Sequence, residues 1–245
     1  MSDDARLDTI EADWDRFYRD FPDIYDRFAL STAAAVPALQ ARYDFRGQVV
    51  IDVGSGTGVS TFALARYAQV VVGVEPWASM RDLAVPKLGT GGRQHVAFVN
   101  SAAECLPFRQ HSADTIVSIW GFPFWFVGAG ADGQELAGRF VAACQAIVKP
   151  GGAVVIVGAA PGCDAGELTS ILAPTASGAQ AVDRFMTDLG FASWDLDVMA
   201  DYGSVSEAVE TYGFIYGQRA IDHLEEHRIS RIRWRLRVHE MRIGD

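Results

Sequence analysis

The sequence predicts an α/β fold, an open and mostly parallel sheet with helices on both faces, preceded by a helical lid. Three observations carry this expectation. Short apolar runs alternate with helically spaced segments from about residue 31 to about residue 160, as in successive βαβ units. Glycine and proline stand at the junctions between them. Two segments nearer the C-terminus then alternate residue by residue between apolar and charged side chains, the mark of half-buried strands.

Near the N-terminus, Trp14, Phe17, Tyr18, Phe21, Tyr25 and Phe28 fall at i, i+3, i+4, i+7, i+11 and i+14. That spacing puts them on one helical face, and Pro22 is expected to kink or split the helix. The stripe packs on the domain and, as a lid, also reaches ligand. The lid is expected over residues 1–45 and the main domain over 46–245, with a cap segment at about 161–220.

Gln48–Val53 is an apolar run bounded by Gly47 and Gly54, hence a buried strand, and "TGVSTFALARYA" follows with helical spacing. "QVVVGVE" (69–75) is a second strand, and "PWASMRDLAVPKL" opens a helix with Pro76 near its first turn. "QHVAFVN" (94–100) and "ADTIVSIW" (113–120) are the third and fourth. The helix "DGQELAGRFVAACQAIV" is stopped by Lys149-Pro150-Gly151-Gly152, and "AVVIVGA" (153–159) is the fifth strand.

In "SWDLDVMAD", Trp194, Leu196, Val198 and Ala200 face one way and Asp195, Asp197 and Asp201 the other. In "RIRWRLRVHE", Ile232, Trp234, Leu236 and Val238 alternate with Arg231, Arg233, Arg235 and Arg237. Alone, the arginines resemble a phosphate-binding stripe. As antiparallel neighbours, however, the two strands set aspartate opposite arginine, and such cross-strand pairs contribute roughly 0.2–1 kcal/mol each. The structural reading is preferred, because the chain supplies the matching acidic strand.

Composition sets outer limits. With 245 residues, 49% of them hydrophobic, the chain can bury a full core. A formal charge of −10 opposes a general affinity for nucleic acid. Cys105, Cys144 and Cys163 lie far apart without CxxC spacing, so neither a disulfide framework nor a metal site is expected. The acidic start "MSDDARLDTIEADWDR" lacks the apolar core of a signal peptide, and no apolar run reaches the ~18 residues of a membrane span. A cytoplasmic protein without a membrane partner is expected.

"VVIDVGSGTG" (49–58) carries the chemistry. Glycines after a buried strand admit positive φ and leave no Cβ to block a ligand. The next helix offers free N–H groups to an anion or carboxylate. Gly54, Gly56 and Gly58 make GxGxG, with Val59 where a dinucleotide fingerprint has its third glycine. No Gly-Lys-Ser/Thr follows, which removes the P-loop. Asp52, just inside the loop, is unsuited to a pyrophosphate and suits a cationic group such as an ammonium. Glu75 ends the second strand, where an acid can accept both ribose hydroxyls.

These residues carry a family resemblance. "VVIDVGSGTGVSTFALA" and "VVGVEPWASM" resemble the first two motifs of class I S-adenosylmethionine-dependent methyltransferases. "SAAECLPFRQHSADTIVSIW" and "IVKPGGAVVIVG" are similar to segments of their ubiquinone/menaquinone-type small-molecule members. The resemblance spans about residues 45–160 and implies a Rossmann-like sheet of seven strands with an antiparallel last strand. It implies S-adenosyl-L-methionine as cofactor and S-adenosyl-L-homocysteine as product. Gly54, Ser55, Gly56 and Gly58 would meet the methionine part, Asp52 would orient it and Glu75 would hold the ribose. Trp77, Met80, Ala103, Glu104 and Trp120 would border the rest of the cofactor. Ala102 departs from the family, which has an aspartate before the Ala-Glu pair.

The acceptor is expected at the carboxyl ends of the strands. There "WGFPFWFVGAG" supplies Phe122, Phe124 and Trp125, the lid adds Tyr18 and Tyr25, and "ETYGFIYG" adds Tyr212 and Tyr216. This aromatic set points to a small apolar or aromatic acceptor, or to an amine held by cation–π attraction. His95 and His111 precede strands, at the wrong end of the sheet, and nothing places His223, His227 or His239 in a site, so no catalytic base is named. Two other classes stay open: an NAD-dependent oxidoreductase, disfavoured by Val59 and Asp52, and a non-catalytic cofactor-binding protein.

Overall fold

A computed structural model describes residues 14–89, 94–121, 131–161, 168 and 177–244. Three helices lead: α1 (Trp14–Asp20), α2 (Pro22–Phe28) and α3 (Leu30–Tyr43). Pro22 opens α2, where its missing N–H costs no hydrogen bond, so the aromatic stripe is divided at the proline. Strands and helices then alternate: β1 (Val49–Val53), α4 (Val59–Leu64), β2 (Val70–Val74), α5 (Ala78–Ala84), β3 (Val96–Val99), β4 (Ala113–Ile119), α6 (Ala131–Ile147) and β5 (Val148–Ala159). The chain continues through α7 (Ser177–Asp188), β6 (Ala192–Asp201), α8 (Val205–Tyr216), α9 (Gln218–Glu226) and β7 (Arg231–Arg242).

The seven strands lie in the order β3-β2-β1-β4-β5-β7-β6. The first five are parallel, and β7 runs antiparallel to both β5 and β6. This is the mixed Rossmann-like sheet that the resemblance implies. Two strands run longer than their sequence pattern. β5 begins at Val148, because Ala113 pairs Val148 and Thr115 pairs Ala153, leaving Lys149–Gly152 as a bulge turned at Gly151 (φ +78°). β7 reaches Arg242, which pairs with Ala153 of β5.

The strand composition follows from burial on both faces. Val50, Leu64 and Val155 join α3, α8 and α9 in one core through Leu39, Tyr212 and Leu224. Ile51, Ile116 and Ile156 join Phe140 and Cys144 of α6 and Met186 of α7 in the other. Central parallel strands are therefore continuous apolar runs.

On β6 and β7 the register sets Asp195 opposite Arg237, Asp197 opposite Arg235 and Asp201 opposite Arg231. Arg237 and Arg235 donate to Asp195 and Asp197 at 2.7 and 3.1 Å, Arg231 forms an ion pair with Asp201 at 3.4 Å, and Arg233 reaches Asp197 at 3.2 Å. The arginine stripe is thus a cross-strand ladder. Among the described residues no helix is long and apolar enough to cross a membrane.

The chain leaves β1 toward β2 on one side and returns to β4 on the other. The carboxyl ends of β1 and β4 therefore form the switch point at which open α/β sheets bind ligands.

Candidate cofactor site at the carboxyl ends of β1, β2 and β4

Gly54, Gly56 and Gly58 have φ of +74°, +53° and +87°. Three left-handed residues at alternate positions explain the GxGxG spacing, since a Cβ at such φ is strained. The Gly54 and Ser55 N–H groups both donate to the Val74 carbonyl, which folds the loop across the end of β2. Gly58 then caps α4.

Asp52 is fully buried beneath the loop rather than in the cavity wall. Its Oδ2 accepts the hydroxyls of Ser60 (2.7 Å) and Thr61 (2.6 Å), tying the first turn of α4 to β1. Its Oδ1 is buried and has no partner among the described residues, and neither have Ser55 Oγ and Thr57 Oγ1. Burial raises the Asp52 carboxyl from 3.8 to about 6, against the two hydroxyl bonds that lower it.

Glu75 is 5% exposed, and its two oxygens accept the N–H groups of Gly56 and Trp77, each at 2.9 Å. Burial raises its carboxyl, and those two backbone bonds oppose the rise. The acid shapes the loop and retains lone pairs for further donors.

A cavity open on one side lies between this loop and the lid. Tyr18 of α1 and Tyr25 of α2 line it from above; Gly54, Gly56, Glu75, Trp77, Met80 and Trp120 line it from the sheet side. The structure thus brings together eight residues singled out by sequence. The tyrosine rings meet edge-on, 5.3 Å apart. Burial holds both phenols well above their usual range, and the Glu75 charge adds to this. Trp120 closes β4 with φ +59° and packs edge-on against Trp234.

Other expected residues lie elsewhere. Ala103 and Glu104 form a short 3-10 turn with Cys105 and are not among the lining residues. Gly58 and Ser55 belong to the loop but not to the cavity wall. Tyr212 is fully buried in the core, bonded to the Tyr202 hydroxyl (3.0 Å) and to Trp234 Nε1 (3.2 Å). Tyr216 stacks on Tyr212, near enough to Tyr18 for a charge on it to oppose Tyr18 ionisation. Phe122, Phe124 and Trp125 lie outside the described residues. No histidine lines the cavity: His95 meets the Ala65 carbonyl, His111 the Val148 carbonyl and His239 the Ser193 hydroxyl.

Sequence reasoning passed over Pro76 and Gly121, which also line the cavity. Gly121 carried a signal in retrospect, a glycine directly after a strand that ends beside the loop. A Cβ on it would stand 2.4 Å from the Val53 carbonyl oxygen and 2.8 Å from Gly54 Cα.

The methyltransferase domain model matches residues 51–156 of this chain, from β1 to β5. An uncharacterized methyltransferase of Anoxybacillus flavithermus is 28% identical over 152 residues, covering 56% of this chain and 66% of that one. Another, from Geobacillus thermodenitrificans, is 36% identical over 109 residues, 44% of each chain. The chain therefore spans two thirds or less of the length of these curated relatives. Among solved structures, the YcgJ protein of Bacillus subtilis has a similar fold, with a TM-score of 0.58 at 17% identity over 86% of this chain and 98% of that one.

Proposed function

We propose, from the premise that this chain carries a methyltransferase domain in a class I fold, that it moves a methyl group from S-adenosyl-L-methionine to a small apolar or aromatic molecule. The observation that carries the reading is the cavity at the carboxyl ends of β1, β2 and β4, walled by the loop glycines Gly54 and Gly56, the acid Glu75 and the side chains of Trp77 and Met80. The charge of Asp52 beneath the loop favours a ligand with a positive end and opposes a pyrophosphate, which disfavours a dinucleotide.

Asp52 would orient the cofactor's methionine end at the glycine loop, Glu75 would take the ribose hydroxyls, and Trp77 and Met80 would pack on the base. When bound, S-adenosyl-L-methionine supplies a methyl group on a positively charged sulfur with a neutral thioether as leaving group. The chain's own share is alignment and exclusion of water by the lid. Tyr18 and Tyr25 keep their protons at neutral pH and act toward ligands as donors and as apolar walls. No histidine lines the cavity among the described residues, which transfer from a positively charged sulfur tolerates because alignment and desolvation carry most of the step.

The aromatic wall supports an apolar or aromatic acceptor, and the internally paired arginine ladder supports a protein without a nucleic-acid partner.

Calorimetric titration with S-adenosyl-L-homocysteine and with NADH tests the reading. The homocysteine product is expected to bind, and Glu75→Ala to weaken it by roughly 1–3 kcal/mol through the lost ribose bonds. Tight NADH binding with none of the homocysteine compound would overturn the assignment. Transfer of labelled methyl to a panel of phenols, quinols and hydrophobic amines then identifies the acceptor.

A further inference from the structure

Lys87 lies in the 3-10 turn Val85–Gly89 that follows α5, outside the cavity wall. Its ammonium donates to Asp26 Oδ1 of α2 at 2.6 Å and to the Thr57 carbonyl at 3.1 Å. Thr57 stands between two left-handed glycines of the loop, Gly56 and Gly58. One cation therefore joins the lid helix to the loop, across separations of 61 and 30 residues. Each side chain of the ion pair is 32% exposed, less open than the surface pairs that contribute almost nothing.

Neighbouring contacts make this a clasp. Tyr25, next to Asp26, lies so close over the loop that a Cβ on Gly56 would stand 2.9 Å from its ring. On α5, Ser79 Oγ donates to the Tyr18 carbonyl at 2.7 Å, holding the other lid helix. The lid is thus fastened at two points by residues that do not themselves line the cavity.

We infer that Lys87 is a positioning residue for ligand exchange: it clasps α2 to the glycine loop, and ligand enters and leaves when the Lys87–Asp26 pair opens. The inference rests on the cavity being the cofactor site proposed above. Lysine suits the task because a compact ammonium has three donors and serves two acceptors at once. Opening raises both entry and release, so losing the clasp changes rates more than affinity.

Stopped-flow release of S-adenosyl-L-homocysteine, read by the fluorescence of Trp77 and Trp120, tests this in the wild type, Lys87→Met, Lys87→Arg and Asp26→Asn. Lys87→Met is expected to release about fivefold faster or more, and Asp26→Asn to follow it. Lys87→Arg, which keeps the charge and two donors, is expected to stay within about twofold of wild type. Wild-type release should quicken with salt, and Lys87→Met release should not. A purely structural lysine would lower thermal stability without faster release. Release from both Lys87→Met and Asp26→Asn within about twofold of wild type would overturn the inference; if Lys87→Met does not fold, Asp26→Asn alone decides. Should the wild type bind no S-adenosyl-L-homocysteine, the cofactor reading fails first. Amide exchange over α2 in the ligand-free protein then decides the clasp, which predicts faster exchange without Lys87 and is refuted by equal exchange.

Discussion

Thr61 donates its hydroxyl to Asp52 Oδ2 at 2.6 Å, beside a second hydroxyl from Ser60, while Asp52 Oδ1 is buried with no partner among the described residues. One carboxylate thus ties the first turn of α4 to β1 through a single oxygen, directly beneath the glycine loop. Its pKa of about 6 lies above the ordinary 3.8. For a raised pKa the stabilising contribution is complete below 3.8 and is lost as pH rises through 6. At pH 7.5 the free protein carries an ionised, buried carboxylate at a cost of up to about 3 kcal/mol.

Asp52→Asn is therefore expected to raise the Tm of the ligand-free protein at pH 7.5 and to flatten its dependence between pH 4 and 6. On the proposed cofactor reading the same change should weaken S-adenosyl-L-homocysteine by about tenfold, since the negative charge beneath the loop that favours the ligand's ammonium is lost. Thermal melts with and without ligand, at pH 5 and 8, read both effects. A variant less stable at pH 8 with unchanged affinity would leave the carboxylate as a helix anchor only.

Gly54 and Gly121 bring β1 and β4 into backbone contact, and each would place a Cβ against the other's chain: 2.5 Å from Gly121 Cα in one case and 2.8 Å from Gly54 Cα in the other. Backbone cannot yield there without parting the two strands. Gly121→Ala is expected to destabilise by about 2–4 kcal/mol, and the Gly54→Ala, Gly121→Ala pair by less than the sum. Gly138→Ala in α6, where a Cβ meets nothing within 4 Å, is the control and should stabilise by up to about 1 kcal/mol. Urea unfolding of the wild type, the two single variants, the double variant and the Gly138→Ala control gives the comparison.

What could be read in advance was what repeats locally. The opposition of Asp195, Asp197 and Asp201 to Arg237, Arg235 and Arg231 follows from a period of two on both strands, and the register bears it out. Pro22 divided the aromatic helix for a reason visible in a single residue. The parts that escaped depend on contacts distant in sequence. Nothing near Lys87 points to Asp26, which is 61 residues away, and the glycine that follows β4 does not by itself name Gly54 as its neighbour. Tyr212 shows the converse. Its aromatic neighbourhood reads as a site, but a helix facing β7 spends that ring and hydroxyl on the core.

Arg42 at the end of α3 clamps Glu240 of β7 with two bonds, at 2.8 and 2.6 Å, and lies over the Trp194 ring. The Tyr43 hydroxyl and Trp194 Nε1 donate to the same carboxylate. The Arg42 bond is the main reason the Glu240 pKa falls from 4.5 to about 2. A depressed acid stabilises fully above 4.5, and that contribution is lost as pH falls through 2. The adjacent His239 is lowered by burial from 6.5 to about 4, so its share is complete above 6.5 and lost as pH falls through 4. Acid unfolding should accordingly proceed through two windows. Glu240→Gln is expected to cost about 1–3 kcal/mol at pH 7, to cost little near pH 2, and to remove the lower window while leaving the His239 window in place. Denaturant unfolding at half-unit steps from pH 7 to 2 measures this. Parallel stability curves for the variant and the wild type would show that the Arg42 clamp contributes nothing to acid resistance.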